Sequence, residues 1–155
     1  MGLFNKTVII SENNMIIKIH NKKEALFMAE QWLKIANDCA NLVNSTKNID
    51  VFFSRYILLI EELEKMSKIE IFNCFKEKQP SQNLKEVLDK REDTINDFIT
   101  RFYNETIFEI NSLKTVSAKN KRIENFYIKL QKYKNMMSNN HLSRIENLYL
   151  NLKNG

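Results

Sequence analysis

Few side chains in this sequence could bind a metal ion. The candidates are two histidines and two cysteines: His20, His141, Cys39 and Cys74. Zinc motifs place such ligands in close pairs, whereas these four lie far apart along the chain. A di-iron or di-manganese bundle needs Glu three residues before His, and Ile17 and Ser138 occupy those positions. We therefore expect no metal site.

Patterns that would support catalysis are also weak. Nucleophile elbows and phosphate-binding loops need internal glycines, and the only glycines are Gly2 and Gly155. Four carboxylates lie close together in sequence, at Asp89, Glu92, Asp93 and Asp97. General acid–base catalysis requires such groups to be desolvated in a cleft, and their pattern is typical of a solvated helix face. We expect a protein that is not an enzyme, with no catalytic residue and no cofactor.

The most suggestive functional pattern is a basic cluster at the junction of two predicted helices. Its members are the candidates for contact with an anion or a nucleic acid: Lys114, Lys119, Lys121 and Arg122. Cations gathered near a helix start can contact phosphates. An ordinary solvated, lysine-rich helix end explains the same residues, and no helix-turn-helix pattern with a glycine in its turn is present. Nucleic-acid binding is therefore an alternative rather than the leading hypothesis.

The composition is that of a soluble globular protein. The chain has 155 residues, of which 43% are hydrophobic and 28% charged, and it can bury one core. Its net charge of +5 favours acidic partners. Cys39 and Cys74 are too isolated for a disulfide framework, so we expect free thiols and a cytoplasmic location. No apolar run reaches the roughly 20 residues that a membrane span needs, and we expect no membrane association.

Residues 1–20 are expected to form a short β-hairpin. Two runs rich in Val and Ile, Thr7–Ile10 and Met15–Ile19, flank the turn-forming segment Ser11–Asn14. A lone two-stranded ribbon is marginally stable in water. The hairpin must therefore pack on the rest of the chain or pair with another chain.

Residues 21–155 are expected to form a single helical domain, because apolar residues recur there at three- and four-residue spacing. Asn21, Asp50 and Ser117 are the expected N-caps of the first, second and fourth helices. The predicted helices cover Asn21–Asn44, Asp50–Asn73, Ser81–Leu113 and Ser117–Met137, and a fifth follows the break at Ser138–Asn140. The fold class is thus all-α, an elongated antiparallel bundle of four to five helices with a short N-terminal β-hairpin.

The helix predicted over Ser81–Leu113 is the longest in the chain. Its thirty residues from Leu84 to Leu113 would be about 45 Å long, which exceeds the roughly 40 Å diameter of a compact domain of this size. We therefore expect it to be the central rod of the bundle. The segment Lys114–Ser117 contains neither Gly nor Pro, so a continuous third and fourth helix is the alternative to a break there.

A resemblance adds to these expectations. The segment Phe98–Phe102, then Ile110 with Leu113–Thr115, and then the motif from Arg122 to Phe126 resemble helical modules in uncharacterised proteins of low-GC Gram-positive bacteria and their phages. The resemblance implies an all-helical intracellular module and assigns no activity or functional residue. With strong amphipathic patterning and no catalytic constellation, the leading hypothesis is a non-enzymatic helical protein–protein interaction module. Its partner is unknown, and a second copy of the chain, forming a homodimer, is one candidate.

Overall fold

A computed structural model of the chain describes residues 8–12, 15–19, 22–67 and 82–155. Within these residues there are six α-helices and one 3₁₀ turn. Their bounds are α1 Lys22–Ser45, α2 Ile49–Ser67, α3 Gln82–Asp89, α4 Arg91–Ser112, α5 Val116–Gln131, the 3₁₀ turn Lys134–Met136, and α6 Asn139–Asn154. These helices confirm the predicted all-α class. No helix among the described residues is long and apolar enough to cross a membrane.

Ahead of α1, two short segments have the backbone pairing of antiparallel strands. They are β1, Val8–Glu12, and β2, Met15–Ile19, with Val8 opposite Ile19. The all-α assignment rests on the helices and not on this ribbon. Packing of the ribbon on the helices or on another chain stays a prediction.

The described residues form two compact units. The first contains those up to Leu42 together with Ser54–Asp89, and the second contains Val43–Phe53 and Lys90–Gly155. The buried apolar side chains of the first unit are Leu33, Ala36, Cys39, Ala40, Tyr56, Leu59, Leu84 and Val87. Cys39 is a free, buried thiol as predicted, and burial raises its pKa. Cys74, Pro80 and the predicted end of the second helix at Asn73 lie outside the described residues.

The single helix predicted over Ser81–Leu113 is wrong. Lys90 separates α3 from α4 with a non-helical backbone, at φ −119° and ψ 49°. Its carbonyl accepts hydrogen bonds from the backbone N–H and the hydroxyl of Thr94, at 2.8 and 2.9 Å. Glu92 and Asp93 lie in the first turn of α4, where negative charge is favourable. The residues predicted as one helix therefore form two helices, α3 in the first compact unit and α4 in the second.

Two predicted N-caps are displaced by two residues. Asn48 caps α2 in place of Asp50, and Thr115 caps α5 in place of Ser117. Each side chain accepts a hydrogen bond from the N–H three residues further on, at 3.0 and 3.1 Å. Both sites offer two residues able to cap, and the backbone conformation decides which one lies outside the helix. Leu113 is extended, with φ −85° and ψ 145°, so α4 and α5 are separate helices.

In the second unit, α4, α5 and α6 pack against one another as three helices running up, down and up. The starts of α4 and α6 lie together, where the Ser138 hydroxyl donates to the Glu92 carboxylate at 2.9 Å. Arg144 then donates to the carbonyl of Asn96 at 2.7 Å, one turn further along both helices. These contacts show that α4 and α6 are parallel. Helix α5 is antiparallel to α4, because Phe102 packs on Phe126 while Glu109, further along α4, pairs with Arg122, which is earlier in α5.

The core of the second unit is built around Phe98 of α4. Its ring stacks on Phe52 with centroids 4.1 Å apart, and it lies 5.9 Å from Phe53 and 5.7 Å from Phe102. Phe102 in turn lies 5.5 Å from Phe126 of α5. All five rings are buried. The cluster therefore joins the first turns of α2 to α4 and α5.

Replacing Phe98 by Ala should destabilise the protein by about 3–5 kcal/mol, because it removes a fully buried ring and leaves a cavity among the other phenylalanines. The matched control is Phe108→Ala on the same helix, where the side chain is 72% exposed and the change should stay within about 0.5 kcal/mol. Denaturant unfolding of both variants measures the difference. Equal losses would show that Phe98 is not central to the core.

Candidate functional site

Helices α5 and α6 carry the same nine-residue pattern. Residues 122–130 read RIENFYIKL and residues 144–152 read RIENLYLNL, with six of the nine positions identical. Apolar spacing alone does not reveal this repeat, but aligning the chain with itself at an offset of 22 residues does. The repeat places equivalent side chains on two neighbouring antiparallel helices.

The tyrosines and glutamates of the repeat bond across the two helices. The Tyr127 hydroxyl donates to Glu146, and the Tyr149 hydroxyl donates to Glu124. The two tyrosine rings stack with centroids 4.4 Å apart. Because α5 and α6 are antiparallel, the same contact is made twice about a local pseudo-two-fold axis. The bond to Glu124 raises the pKa of Tyr149 to about 12, and the bond to Glu146 raises the pKa of Tyr127.

An outward-facing row of side chains follows from the repeat on each helix. Residues spaced by four, three and four positions share one side of a helix. The outer stripe of α5 and its C-cap is Lys121, Asn125, Ile128 and Lys132, and the outer stripe of α6 is Ser143, Asn147, Leu150 and Asn154. Ile128 is 61% exposed and Leu150 is 50% exposed. We call these two stripes, together with the Tyr127–Tyr149 stack, the α5–α6 face.

The four predicted anion-contact residues do not form one patch. Lys114 is exposed in the turn before α5, and Lys121 is exposed on the outer stripe. Lys119 lies two residues before Lys121, which places it on nearly the opposite side of the helix. Arg122 forms an ion pair with Glu109 of α4, and its buried Nε has no acceptor among the described residues. Of the four, only Lys121 belongs to the α5–α6 face.

A cleft of about 280 Å³ lies beside Arg122 in the second unit. It is lined by Lys47, Asn48, Ile49, Asp50, Phe102, Glu105, Glu109, Arg122 and Lys129. Lys47 pairs with Glu105 at 3.3 Å, and Asp50 accepts bonds from the Tyr133 hydroxyl and the Lys132 ammonium. The bond from Tyr133, followed by that from Lys132, lowers the pKa of Asp50. Three cations and three carboxylates line the cleft, so its lining favours neither an anion nor a cation.

His141 has a structural role in the second unit. Its ring is 2% exposed, and its Nδ1 accepts a hydrogen bond from the Ser138 backbone N–H at 3.1 Å. Its Nε2 lies 2.9 Å from the carbonyl of Glu92, so this nitrogen carries the proton and donates. Neither nitrogen is left to bind a metal. No group of three His, Cys, Asp or Glu side chains in the described part of the chain could hold a metal ion.

The remaining candidate residues from the sequence are four carboxylates between residues 89 and 97, and His20. Asp89, Glu92, Asp93 and Asp97 are all exposed, as predicted for a solvated face. His20 lies outside the described residues. None of these carboxylates lines the cleft beside Arg122.

No protein-family model matches this chain, and neither a curated protein nor a solved structure matches it. The resemblance to helical modules of low-GC Gram-positive bacteria and their phages stays a prediction.

Replacing Glu124 by Ala should bring the pKa of Tyr149 down from about 12 toward the ordinary value near 10, because the hydroxyl loses its acceptor. The pKa of Tyr149 is higher in the folded chain than in the unfolded chain. Its hydrogen bond to Glu124 therefore contributes fully to stability below about pH 10, and this contribution is lost as the pH rises through about 12. The variant should lack that pH dependence. Titrating the tyrosine ring resonances by NMR measures the shift, with Glu61→Ala on α2 as the control. An unchanged pKa would contradict the crossed pairing.

Proposed function

We propose that this protein is a helical protein–protein interaction module without catalytic activity, and that it binds its partner through the α5–α6 face. The supporting observation is that Ile128 and Leu150, at the same position of the repeat, are both largely exposed. Scattered exposed apolar residues are ordinary, but here two of them flank a stacked tyrosine pair on one surface. Burying such a side chain releases about 1.5–3 kcal/mol, and a partner can supply that burial.

The scaffold behind this face favours binding by a preformed surface. The α5–α6 pair packs on α4, with Ile123, Leu130 and Ile145 buried, and the crossed bonds of the tyrosines join α5 to α6. Tyrosine is also enriched at protein interfaces, because it combines a large ring with a polar end. The proposal involves no cofactor and no metal.

A cytoplasmic location belongs to the same proposal. It is supported by Cys39, a buried thiol that is not in a disulfide. The N-terminal hairpin, paired with another chain, would provide a second contact for a partner.

The alternative function is nucleic-acid binding through Lys114, Lys119, Lys121 and Arg122. Two observations weigh against this alternative. Arg122 already forms an ion pair with Glu109, and Lys119 and Lys121 lie on nearly opposite sides of α5. Phosphate contacts also give no role to Ile128 and Leu150. A nucleic-acid binder would lose affinity steeply with salt, whereas burial of apolar side chains is far less sensitive to salt.

The double variant Ile128→Asp with Leu150→Asp should abolish partner binding while leaving the fold intact. Losing the burial of two large side chains should weaken binding by at least about tenfold, since each 1.4 kcal/mol is a factor of ten. Proteins retained by the immobilised wild-type chain can be identified by mass spectrometry, and the affinity of each purified candidate measured by calorimetry. The free energy of unfolding should change by less than about 0.5 kcal/mol per substitution.

The matched control is Phe108→Asp with Val116→Asp, which changes two side chains of the same unit that are 72% and 73% exposed. It should retain the partner. Equal loss of binding in the two double variants, or no loss in either, would contradict the assignment of the α5–α6 face.

A further inference from the structure

We infer that Tyr127 and Tyr149 form a site of oxidative cross-linking, at which a one-electron oxidant of the peroxidase class joins their two rings into a dityrosine. The two rings belong to the second unit and link α5 to α6. This inference goes beyond the proposed function, because it requires no partner and no occupant of the α5–α6 face. The product is a covalent bond between two helices of the same chain.

The rings of the two tyrosines are already in contact. Their centroids are 4.4 Å apart, and their planes are inclined by 24°. Stacked rings at this separation place their carbon atoms near van der Waals contact. The Tyr127 hydroxyl donates to Glu146 and the Tyr149 hydroxyl donates to Glu124, so each ring is tied to the neighbouring helix. Two radicals formed here meet without diffusion, which favours coupling within the chain.

Each hydroxyl also has a proton acceptor beside it. The bond to Glu124 raises the pKa of Tyr149 to about 12, so this hydroxyl is protonated at neutral pH and has to lose its proton when the ring loses an electron. The carboxylate that already accepts the hydrogen bond can take up that proton without rearrangement. Glu146 is placed in the same way for Tyr127. Oxidation of either ring therefore gives a neutral phenoxyl radical.

The reaction balances with hydrogen peroxide as the oxidant that the peroxidase consumes. Each tyrosine loses one electron and its hydroxyl proton. The two radicals then form one carbon–carbon bond between ring carbons next to the hydroxyls. The hydrogens on those two carbons leave as protons, and both hydroxyls are restored. In total, two phenols and one hydrogen peroxide give one dityrosine and two water molecules.

An oxidant can approach both rings from the solvent. Tyr127 and Tyr149 are half-buried, and the side chains that flank them, Ile128 and Leu150, are 61% and 50% exposed. Removing an electron from such a ring does not require the fold to open. The surface position, the ring contact and the two carboxylates are therefore present together at this one pair.

A second tyrosine stack in the same unit provides an internal control. Tyr133 stacks on Phe53 with centroids 4.3 Å apart and planes inclined by 13°. Its hydroxyl also donates to a carboxylate, that of Asp50. Phenylalanine has no hydroxyl and does not form a phenoxyl radical, so this stack cannot become a dityrosine. The two stacks differ in the chemistry that matters and resemble each other in geometry.

The cross-link would close a loop between residues 127 and 149. A covalent closure of this kind restricts the unfolded chain and stabilises the fold, as a disulfide does. Thiols break a disulfide, but they do not break a carbon–carbon bond. The cross-linked protein should therefore unfold at a higher urea concentration than the untreated protein, with or without a thiol reductant.

Peptide mapping of the oxidised full-length protein tests the inference. The protein is treated with a soluble peroxidase and hydrogen peroxide and is then digested with trypsin. Trypsin cleaves after Lys and Arg, so Tyr127 is released in residues 123–129 and Tyr149 in residues 145–153. We expect these two peptides to be joined, with a mass lower by two hydrogen atoms than their sum, and to show dityrosine fluorescence. The oxidised chain should migrate as a monomer in a denaturing gel.

Five substitutions in four variants assign the reaction to its residues. Tyr127→Phe and Tyr149→Phe keep the ring and remove the hydroxyl, so each should abolish the joined peptides. Tyr133→Phe is the matched control and should leave their yield unchanged. Glu124→Gln with Glu146→Gln keeps an acceptor for each hydroxyl but removes the base, and it should slow cross-linking several-fold. Circular dichroism before oxidation checks that each variant keeps its helices.

Three results would overturn the inference. The first is a wild-type yield of dityrosine that Tyr127→Phe leaves unchanged. The second is a product formed between two chains, with a yield that rises with protein concentration. The third is oxygen added to the tyrosine rings with no bond between the two peptides. An unchanged rate in the Glu124/Glu146 double variant would contradict the role of the carboxylates as proton acceptors.

Discussion

Aromatic packing around Phe98 is the interaction on which the second unit depends. The ring is fully buried and touches phenylalanines from the start of α2 and from its own helix, and these extend the cluster to α5. One turn away, Arg101 donates to the carbonyls of Val43 and Thr46 at 2.7 and 3.2 Å, where the end of α1 leaves carbonyls without helical partners. Helix α4 therefore holds the chain segments on either side of the α1–α2 turn. It also fixes the inner side of α5, so that the opposite side faces outward.

The two copies of the nine-residue repeat lie on helices with different neighbours, and only part of their contacts are the same. In both copies the Ile is buried, and the Tyr and Glu bond across the helix pair. The two arginines differ, because α4 is antiparallel to α5 and parallel to α6. Arg122 meets the carboxylate of Glu109, whereas Arg144 meets the carbonyl of Asn96. The equivalent outer residues Ile128 and Leu150 are exposed in both copies, and this exposure is the observation that supports the proposed interface.

The polar groups of the second unit mostly bond to one another. His141 joins the starts of α6 and α4 with both ring nitrogens, and the cations of the cleft beside Arg122 lie among an equal number of carboxylates. General acid–base catalysis needs groups with altered pKa values in a water-excluded site, and the large upward shift here belongs to Tyr149 on the outer surface. These polar contacts therefore contribute to the packing of the second unit.

The sequence by itself determined the helices, most of their buried side and the free thiol of Cys39, because helical periodicity is a local property of residues three and four positions apart. The tertiary structure alone decided where α4 begins, since Lys90 interrupts an apolar pattern that contains neither Gly nor Pro. It also decided that Arg122 pairs with Glu109 of α4 and Arg144 with the carbonyl of Asn96. Those outcomes depend on which distant helix lies beside each side chain, and local spacing carries no information about that neighbour.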